Sequence, residues 1–334
     1  MRGLSYLRHR IMAPAPWGAI LMYHHISSPM IDPWETSVSE VHFKAHLAVL
    51  KNEYEVMPLE SRSLEDAPAR RRRKKIFITF DDGYLDNYER AVPLLKALDF
   101  PATFFIPTQI LHGGSYFWWE LVDYLFWEQE SLPATITKIA GESPSIQAWS
   151  AEMMRRDPQA EKAWSANHQL PPTDRCRFYL QLCEWIKKQP SNDQQAIAHL
   201  LMDMCPAEKM TGFKKMQAGQ IRQISREGFA IGAHTIHHPA LGHQSYAVQT
   251  DEIRGCKKDL ESLIGREIRT MAYPHGHFNA DTIALTREAG YQCACTTEEG
   301  FLHRKSDPLA LPRIWVKDVD GISFKRNLDH IFMS

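Results

Sequence analysis

The chain has 334 residues, of which 44% are hydrophobic and 24% are charged, and its formal net charge at pH 7 is −1. This composition is typical of a globular protein and excludes a disordered one, and the balanced charge gives no overall attraction to nucleic acid or to anionic membranes. The six cysteines include no C-x-x-C pair, so we expect reduced, structural thiols.

The first 18 residues, MRGLSYLRHRIMAPAPWG, are basic but contain no apolar run of signal-peptide length. No stretch approaches the roughly 18 apolar residues of a membrane span. We therefore expect a cytoplasmic protein. The basic run at 70–75 (RRRRKK) is predicted to be an exposed loop, and the alternative is a peripheral contact with an anionic membrane surface.

Short apolar runs recur along the chain and predict buried strands. Seven are found, at Ala19–Tyr23, Ile76–Phe80, Ala102–Ile106, Phe229–Ala233, Thr270–Tyr273, Tyr291–Thr296 and Ile314–Val316. Helix-like patterns lie between several of them, including Asn87–Leu98, Gln220–Glu227, Thr250–Leu263 and Asp281–Ala289. Unbroken apolar strands that alternate with helices are typical of a parallel sheet covered by helices. Seven such units favour an α/β barrel over an open sheet.

The pattern changes between residues 112 and 216, where no strand is predicted. This stretch opens with GGSYFWWELVDYLFWEQE, which holds three of the nine tryptophans, and continues through helical sequence such as Asp174–Lys188. We predict a helical insertion at 112–216 that divides the barrel into 1–111 and 217–334. Its aromatic opening could line a sugar-binding groove, although packing of the insertion on the body is favoured for most of these rings.

The strand predicted at Ile76–Phe80 ends in two adjacent carboxylates, Asp81 and Asp82, followed by Gly83. Two like charges this close repel each other, and a bound cation or a catalytic role for one of them would offset the cost. An ordinary Asp-Gly turn is the alternative.

The strand predicted at Phe229–Ala233 is followed by a second group of polar residues, which includes His234 and His238. Pro239 indicates that the next helix starts only after His238, but a loop could still bring both imidazoles together. Two histidines and a carboxylate suit zinc or another divalent transition metal, and parallel barrels place their sites at the carboxyl ends of strands. The alternative is a loop with incidental histidines in a chain that has 16 of them.

The segment Phe77–Tyr84 (FITFDDGY) resembles the first motif of the polysaccharide deacetylases of carbohydrate esterase family 4, usually written T-F-D-D-G. The segment 234–238 (HTIHH) is similar to the second motif, H-[S/T]-x-x-H, and 272–276 (AYPHG) to the third-motif region. The resemblance covers about 20–110 and 217–320 and leaves the insertion unaccounted for.

The resemblance implies a distorted (β/α) barrel of about seven parallel strands that hydrolyses an N-acetyl group on an amino sugar with a divalent metal ion, for which zinc is expected. By matching position, Asp82, His234 and His238 would bind the metal. Asp81 would be the general base, and the backbone N–H of Tyr84 would stabilise the oxyanion.

Two departures from the family pattern affect other roles. The third motif often carries an arginine that orients the base, but Ala272 stands at that position, and Arg313 could supply the charge from another strand. The family's L-x-H motif normally supplies the general acid, and the match at 328–330 (LDH) is interpreted as accidental. His24, at the end of the first strand, is the better candidate for the proton donor, and its alternative is a buried histidine bonded to backbone.

The leading hypothesis is an amidohydrolase that acts on an N-acetylated polysaccharide, oligosaccharide or glycolipid and binds no nucleic acid. Two alternatives stay open at this point. One keeps the fold and metal but acts on a non-sugar C–N bond, such as a formyl or cyclic amide. The other is a catalytically inactive saccharide-binding protein.

Overall fold

The computed structural model describes residues 16–60, 73–114, 116–133, 136, 139, 155–206 and 208–333. Its strands are β1 (Gly18–Tyr23), β2 (His25–Ile26), β3 (Ser37–Val38), β4 (Glu55–Val56), β5 (Lys75–Phe80), β6 (Thr103–Ile106), β7 (Ala230–Ala233), β8 (Thr270–Ala272), β9 (Cys293–Glu299) and β10 (Leu311–Trp315). Its helices are α1 (Glu40–Glu53), α2 (Val92–Ala97), α3 (Trp118–Asp123), α4 (Pro158–Ala163), α5 (Asp174–Lys187), α6 (Ser191–Met202), α7 (Ala218–Arg226), α8 (Tyr246–Ile264), α9 (Ala280–Glu288) and α10 (Gly321–Met333).

Seven parallel strands close into a barrel. They follow one another in the order β1, β10, β9, β8, β7, β6 and β5, and β5 then pairs with β1 to complete the ring. The closing pair runs from Gly18 opposite Lys75 to Tyr23 opposite Phe80. The predicted barrel is confirmed, and each of the seven predicted strands overlaps one of these strands. The short β4 adds an eighth strand beside the amino-terminal half of β5.

The barrel strands are hydrophobic on both faces, as an all-parallel sheet requires. Every residue of β1 and β5 is buried. On the side that faces the helices, the rings of Tyr23, Phe80 and Phe104 stack at centroid distances of 5.4 and 5.0 Å. Inside the barrel, Phe105 packs so closely on Gly232 that a Cβ there would lie 2.4 Å from its ring.

The chain between β6 and β7 carries a helical insertion with its own hydrophobic core. Trp118 and Trp127 are each 6% exposed and belong to this core, which agrees with the packing interpretation for those two rings. The buried Arg175 of α5 donates to the carbonyl oxygens of Phe126 at 2.7 Å and Gln129 at 2.9 Å, and so binds the helices of the insertion to one another. The domain limits at 112 and 216 stay a prediction.

The carboxyl end of the insertion is fixed to the turn that follows β5. The N–H of Leu85 donates to the Lys214 carbonyl at 2.8 Å, and the N–H of Met216 donates to the Gly83 carbonyl at 2.9 Å. The ammonium group of Lys215 forms a buried ion pair with Glu120 of α3. The carboxyl end of the insertion is therefore held against the first sequence motif by backbone hydrogen bonds, and the Lys215–Glu120 pair joins that end to α3.

The structure corrects one expectation and bears on two others. Lys75, predicted to lie in an exposed basic loop, is buried as the first residue of β5, because the strand starts there; Arg70, Arg71 and Arg72 lie outside the described residues. The six cysteine side chains are buried free thiols. Among the helices of the described ranges, none combines the length and the hydrophobicity of a membrane span.

Asp123, at the end of α3, predicts a pH-dependent stability. Burial raises the pKa of its carboxyl group to about 7, although the hydroxyl of Tyr179 donates to it at 2.5 Å. In an unfolded chain the same carboxyl group loses its proton near pH ~4. Between about pH 4 and pH 7, folding is therefore accompanied by the uptake of a proton. The contribution of Asp123 to stability consequently falls as the pH rises through that interval.

We therefore expect Asp123→Asn and the wild type to have nearly the same melting temperature at pH 4. At pH 7.5 we expect the variant to melt several degrees above the wild type. Thermal denaturation followed across this range checks the expectation. A melting difference that is the same at every pH would contradict it.

Candidate functional site

The first motif forms a strained turn at the carboxyl end of β5. Asp82 has a φ of 70°, and Gly83 has a φ of 65°. A left-handed conformation costs a non-glycine residue on the order of 1–3 kcal/mol and is tolerated where the surrounding structure enforces it. The turn gives the two carboxylates different partners, since Asp81 contacts Arg313 whereas Asp82 contacts the histidines.

The second motif bends sharply after β7, so that its two histidines meet. Thr235 and His238 also adopt left-handed conformations, with φ values of 64° and 60°. The Thr235 hydroxyl accepts the N–H of His238 at 3.0 Å and closes the bend. The Nε2 atoms of His234 and His238 consequently lie 3.1 Å apart.

The carboxylate of Asp82 completes a triangle with the two imidazoles. Its Oδ1 atom lies 3.4 Å from His234 Nε2 and 3.2 Å from His238 Nε2. Ligands that each lie 2.0–2.1 Å from a tetrahedral zinc ion are about 3.3 Å apart from one another. All three side chains are buried, and together they form a group that could hold a metal ion.

The hydrogen bonds around the triangle also fit a divalent cation. His234 Nδ1 lies 2.8 Å from the carbonyl oxygen of Ala272, which can only accept, so this nitrogen carries the proton and Nε2 is the free ligand atom of the neutral ring. Among the described residues, Asp82 Oδ1 has no hydrogen-bond partner. Burial raises the pKa of Asp82, but the two imidazoles outweigh it and hold that pKa well below its usual value.

Asp81 is held by a guanidinium group that comes from β10. Arg313 donates to both of its carboxylate oxygens, at 2.8 and 2.7 Å, and its Nε donates to the Thr296 carbonyl at 2.8 Å. Both members of the pair are buried. Burial raises the pKa of Asp81, but Arg313, with the nearby His234 and His24, acts in the opposite direction, and that pKa lies below its usual value. Arg313 therefore lies beside Asp81. It supplies the positive charge that Ala272, at the position of the motif's arginine, does not carry.

Two further predicted residues border this group. His24 follows β1, with its ring 5.4 Å from that of Trp315, and burial lowers the pKa of its imidazole while the Asp81 and Asp82 carboxylates act in the opposite direction. Tyr84 is buried, with its ring between the imidazole of His25 and the ammonium group of Lys215, each at 3.5 Å.

The L-x-H match at the end of the chain is separate from these residues. His330 lies on α10, where it lines a surface groove with Val49 of α1 and Ile322. This placement agrees with the interpretation of the match as accidental.

Two further residues lie beside the histidines and were not singled out from the sequence. The ring of Trp119, at the start of the insertion, lies 4.6 Å from that of His238 and stacks on Phe117 at 4.3 Å. The ring of His275 also lies 4.6 Å from His238, and its backbone is left-handed with a φ of 54°. In the sequence, Trp119 belongs to the aromatic opening of the insertion and His275 to the third-motif region. These two features are the sequence signals that could have placed them at the site.

A family model and a related protein both point to the polysaccharide deacetylases. The family model described as polysaccharide deacetylase matches residues 69–164 and 188–294. The Bacillus subtilis protein YxkH, whose name refers to the same family, is 23% identical over 299 residues, which are 89% of this chain and 70% of that protein.

Solved structures share the fold at low sequence identity. The Streptococcus pyogenes deacetylase PplD is 21% identical with a TM-score of 0.58, and the match covers 96% of this chain and 99% of that one. A de-N-acetylase from Aggregatibacter actinomycetemcomitans is 17% identical with a TM-score of 0.55, covering 92% of this chain and 98% of that one.

The buried ion pair gives a prediction for stability. Arg313→Met leaves Asp81 buried without its positive partner, and breaking a buried pair in this way costs about 3–5 kcal/mol. Unfolding by urea of the metal-free protein measures the change. The double variant Asp81→Asn with Arg313→Met removes both charges, and we expect it to recover most of the loss. A single variant as stable as wild type would contradict the assigned pairing.

Proposed function

Since the chain belongs to the polysaccharide deacetylase family and is a hydrolase of carbon–nitrogen bonds other than peptide bonds, we propose that it removes N-acetyl groups from an amino-sugar polysaccharide, oligosaccharide or glycolipid with a divalent metal ion. The observation that carries the proposal is the buried triangle of Asp82, His234 and His238, with edges of 3.1–3.4 Å, beside an aspartate held by Arg313.

In this proposal Asp82, His234 and His238 hold the metal ion, and zinc suits their nitrogen and oxygen ligand atoms. When bound there, the ion supplies Lewis acidity, which polarises the acetyl carbonyl and lowers the pKa of water. The His234 ring is oriented for this role by its 2.8 Å contact with the Ala272 carbonyl.

The remaining residues move protons and stabilise charge. Asp81, kept ionised by Arg313, takes the proton of the attacking water while the water oxygen bonds to the acetyl carbon. The backbone N–H of Tyr84 donates to the oxyanion that develops. His24 gives a proton to the departing nitrogen as the C–N bond breaks, which leaves acetate and a free amine.

The substrate class rests on the family and on the aromatic wall beside the site. Trp119 is partly exposed and backed by Phe117, so its edge borders the space in which an acylated sugar would approach the histidines. The similar Aggregatibacter protein is by name a de-N-acetylase, in agreement with an N-acetyl substrate. A contact with an anionic membrane by the part of the basic run that precedes the buried Lys75, at 70–74, would suit a glycolipid and is retained as a sequence-based hypothesis.

Release of acetate tests the reaction. We expect the zinc-loaded protein to release acetate from N-acetylglucosamine oligosaccharides, and Asp81→Asn to lower kcat by about 10²- to 10⁴-fold because the general base is lost. Asp281→Asn, an exposed aspartate of α9, is the matched control.

Failure of the zinc-loaded wild type on every N-acetylated amino sugar would contradict the proposed substrate class. Hydrolysis of a formyl or cyclic amide in the same assay would then favour the non-sugar amidohydrolase. Unchanged kcat in Asp81→Asn would contradict the role of the base.

The role of His24 is tested by changing the leaving group. An amine must be protonated to depart, whereas the phenolate of 4-nitrophenyl acetate need not be. We expect His24→Gln to lose about 10²- to 10⁴-fold in kcat/KM on the N-acetyl substrate and to keep nearly wild-type kcat/KM on the ester. Equal losses on both substrates, or no loss on either, would exclude His24 as the acid. His199→Gln, on the surface of α6, serves as the control.

A further inference from the structure

The loop that follows β7 has a backbone conformation that its own sequence does not favour. Thr235 and His238 are both left-handed, and neither is a glycine. Each such residue costs on the order of 1–3 kcal/mol unless the surrounding structure enforces it. The bond from the His238 N–H to the Thr235 hydroxyl closes the bend from within, but it leaves the N–H groups of the two intervening residues to be satisfied elsewhere.

A single carboxylate from α8 binds both of those intervening residues. Glu252 Oε2 accepts the N–H of Ile236 at 2.8 Å and the N–H of His237 at 2.9 Å. The other oxygen, Oε1, lies 2.7 Å from Nδ1 of the His237 ring. Three donors from two consecutive residues therefore converge on one side chain, 15 and 16 positions away in the sequence.

Glu252 is a buried carboxylate that has no part in the proposed reaction. Its side chain is 5% exposed, and removing a carboxylate from water is costly unless hydrogen bonds compensate it. Its hydrogen bonds go to the loop, with one further contact of 3.5 Å from the Ser191 hydroxyl at the start of α6. Because α8 is a 19-residue helix packed on the barrel, it offers a rigid support for the loop.

We propose that Glu252 is a positioning residue that holds the loop in the conformation in which His234 and His238 meet. The metal-binding consequence rests on the proposed function, whereas the hold on the loop does not. Without the carboxylate, the two left-handed residues can relax, and the imidazole of His238 is free to leave the 3.1 Å contact with His234.

Hydrogen exchange in the metal-free protein tests the hold on the loop. We expect the amides of Ile236 and His237 to exchange about 10- to 100-fold faster in Glu252→Ala, because hydrogen bonds to a charged group are lost. Glu252→Gln keeps one oxygen acceptor, and we expect a smaller increase.

The matched control is Glu261→Ala on the same helix, since Glu261 accepts the N–H of Ile268 at 3.0 Å. In that variant the Ile268 amide is expected to exchange faster while Ile236 and His237 keep wild-type rates. Unchanged protection of Ile236 and His237 in Glu252→Ala would overturn the proposal.

Zinc affinity, measured by competition with a chelating dye, tests the consequence for the histidines. We expect Glu252→Ala to bind zinc about 10- to 100-fold more weakly than wild type, Glu252→Gln to be intermediate and Glu261→Ala to match wild type. Faster exchange with wild-type zinc affinity would overturn the positioning role. A wild-type protein that binds no zinc would contradict the metal centre itself, and the exchange result would then decide the hold on the loop by itself.

Discussion

The structure depends on a constraint of charge: two adjacent carboxylates, Asp81 and Asp82, are both buried at the end of one strand. In a medium of low dielectric, each must have its own positive partner or lose its charge. Arg313 pairs with Asp81 through two hydrogen bonds. Asp82 faces two imidazoles that are close enough to share a cation with it. The different partners of the two aspartates are the reason for proposing one as the base and the other as a metal ligand.

The barrel satisfies this constraint by bringing the carboxyl ends of several strands together. The aspartates follow β5, the histidines follow β7, and Arg313 lies on β10. Backbone strain is concentrated at the same place: Asp82, Thr235, His238 and His275 are four of the six non-glycine residues with positive φ in the described part of the chain. The barrel, α8 and the insertion together hold these conformations, which short segments of sequence would not adopt alone.

Much of the fold could be predicted because its signals are local. An unbroken apolar run predicts a buried parallel strand, and the polar residues at its end then fall at one edge of the barrel. That Arg313 lies near Asp81 was only a hypothesis. It was suggested because Ala272 stands where the third motif often carries an arginine. The role proposed for Glu252 was not predicted, because Glu252 contacts the loop across a long separation in sequence. Trp119 was anticipated only as part of an aromatic stretch that could line a sugar-binding groove. The burial of Lys75 was also missed, because Lys75 was grouped with the basic residues before it and the strand was predicted to begin one residue later.

The most direct test of this account is the metal content of the purified protein after incubation with zinc, by elemental analysis. The account predicts about one zinc ion per chain in the wild type, none in Asp82→Ala, and an unchanged amount in Asp281→Ala, which removes an exposed carboxylate on α9. A wild type without zinc, or an Asp82→Ala variant that retains it, would contradict the assignment of the buried triangle as a metal centre.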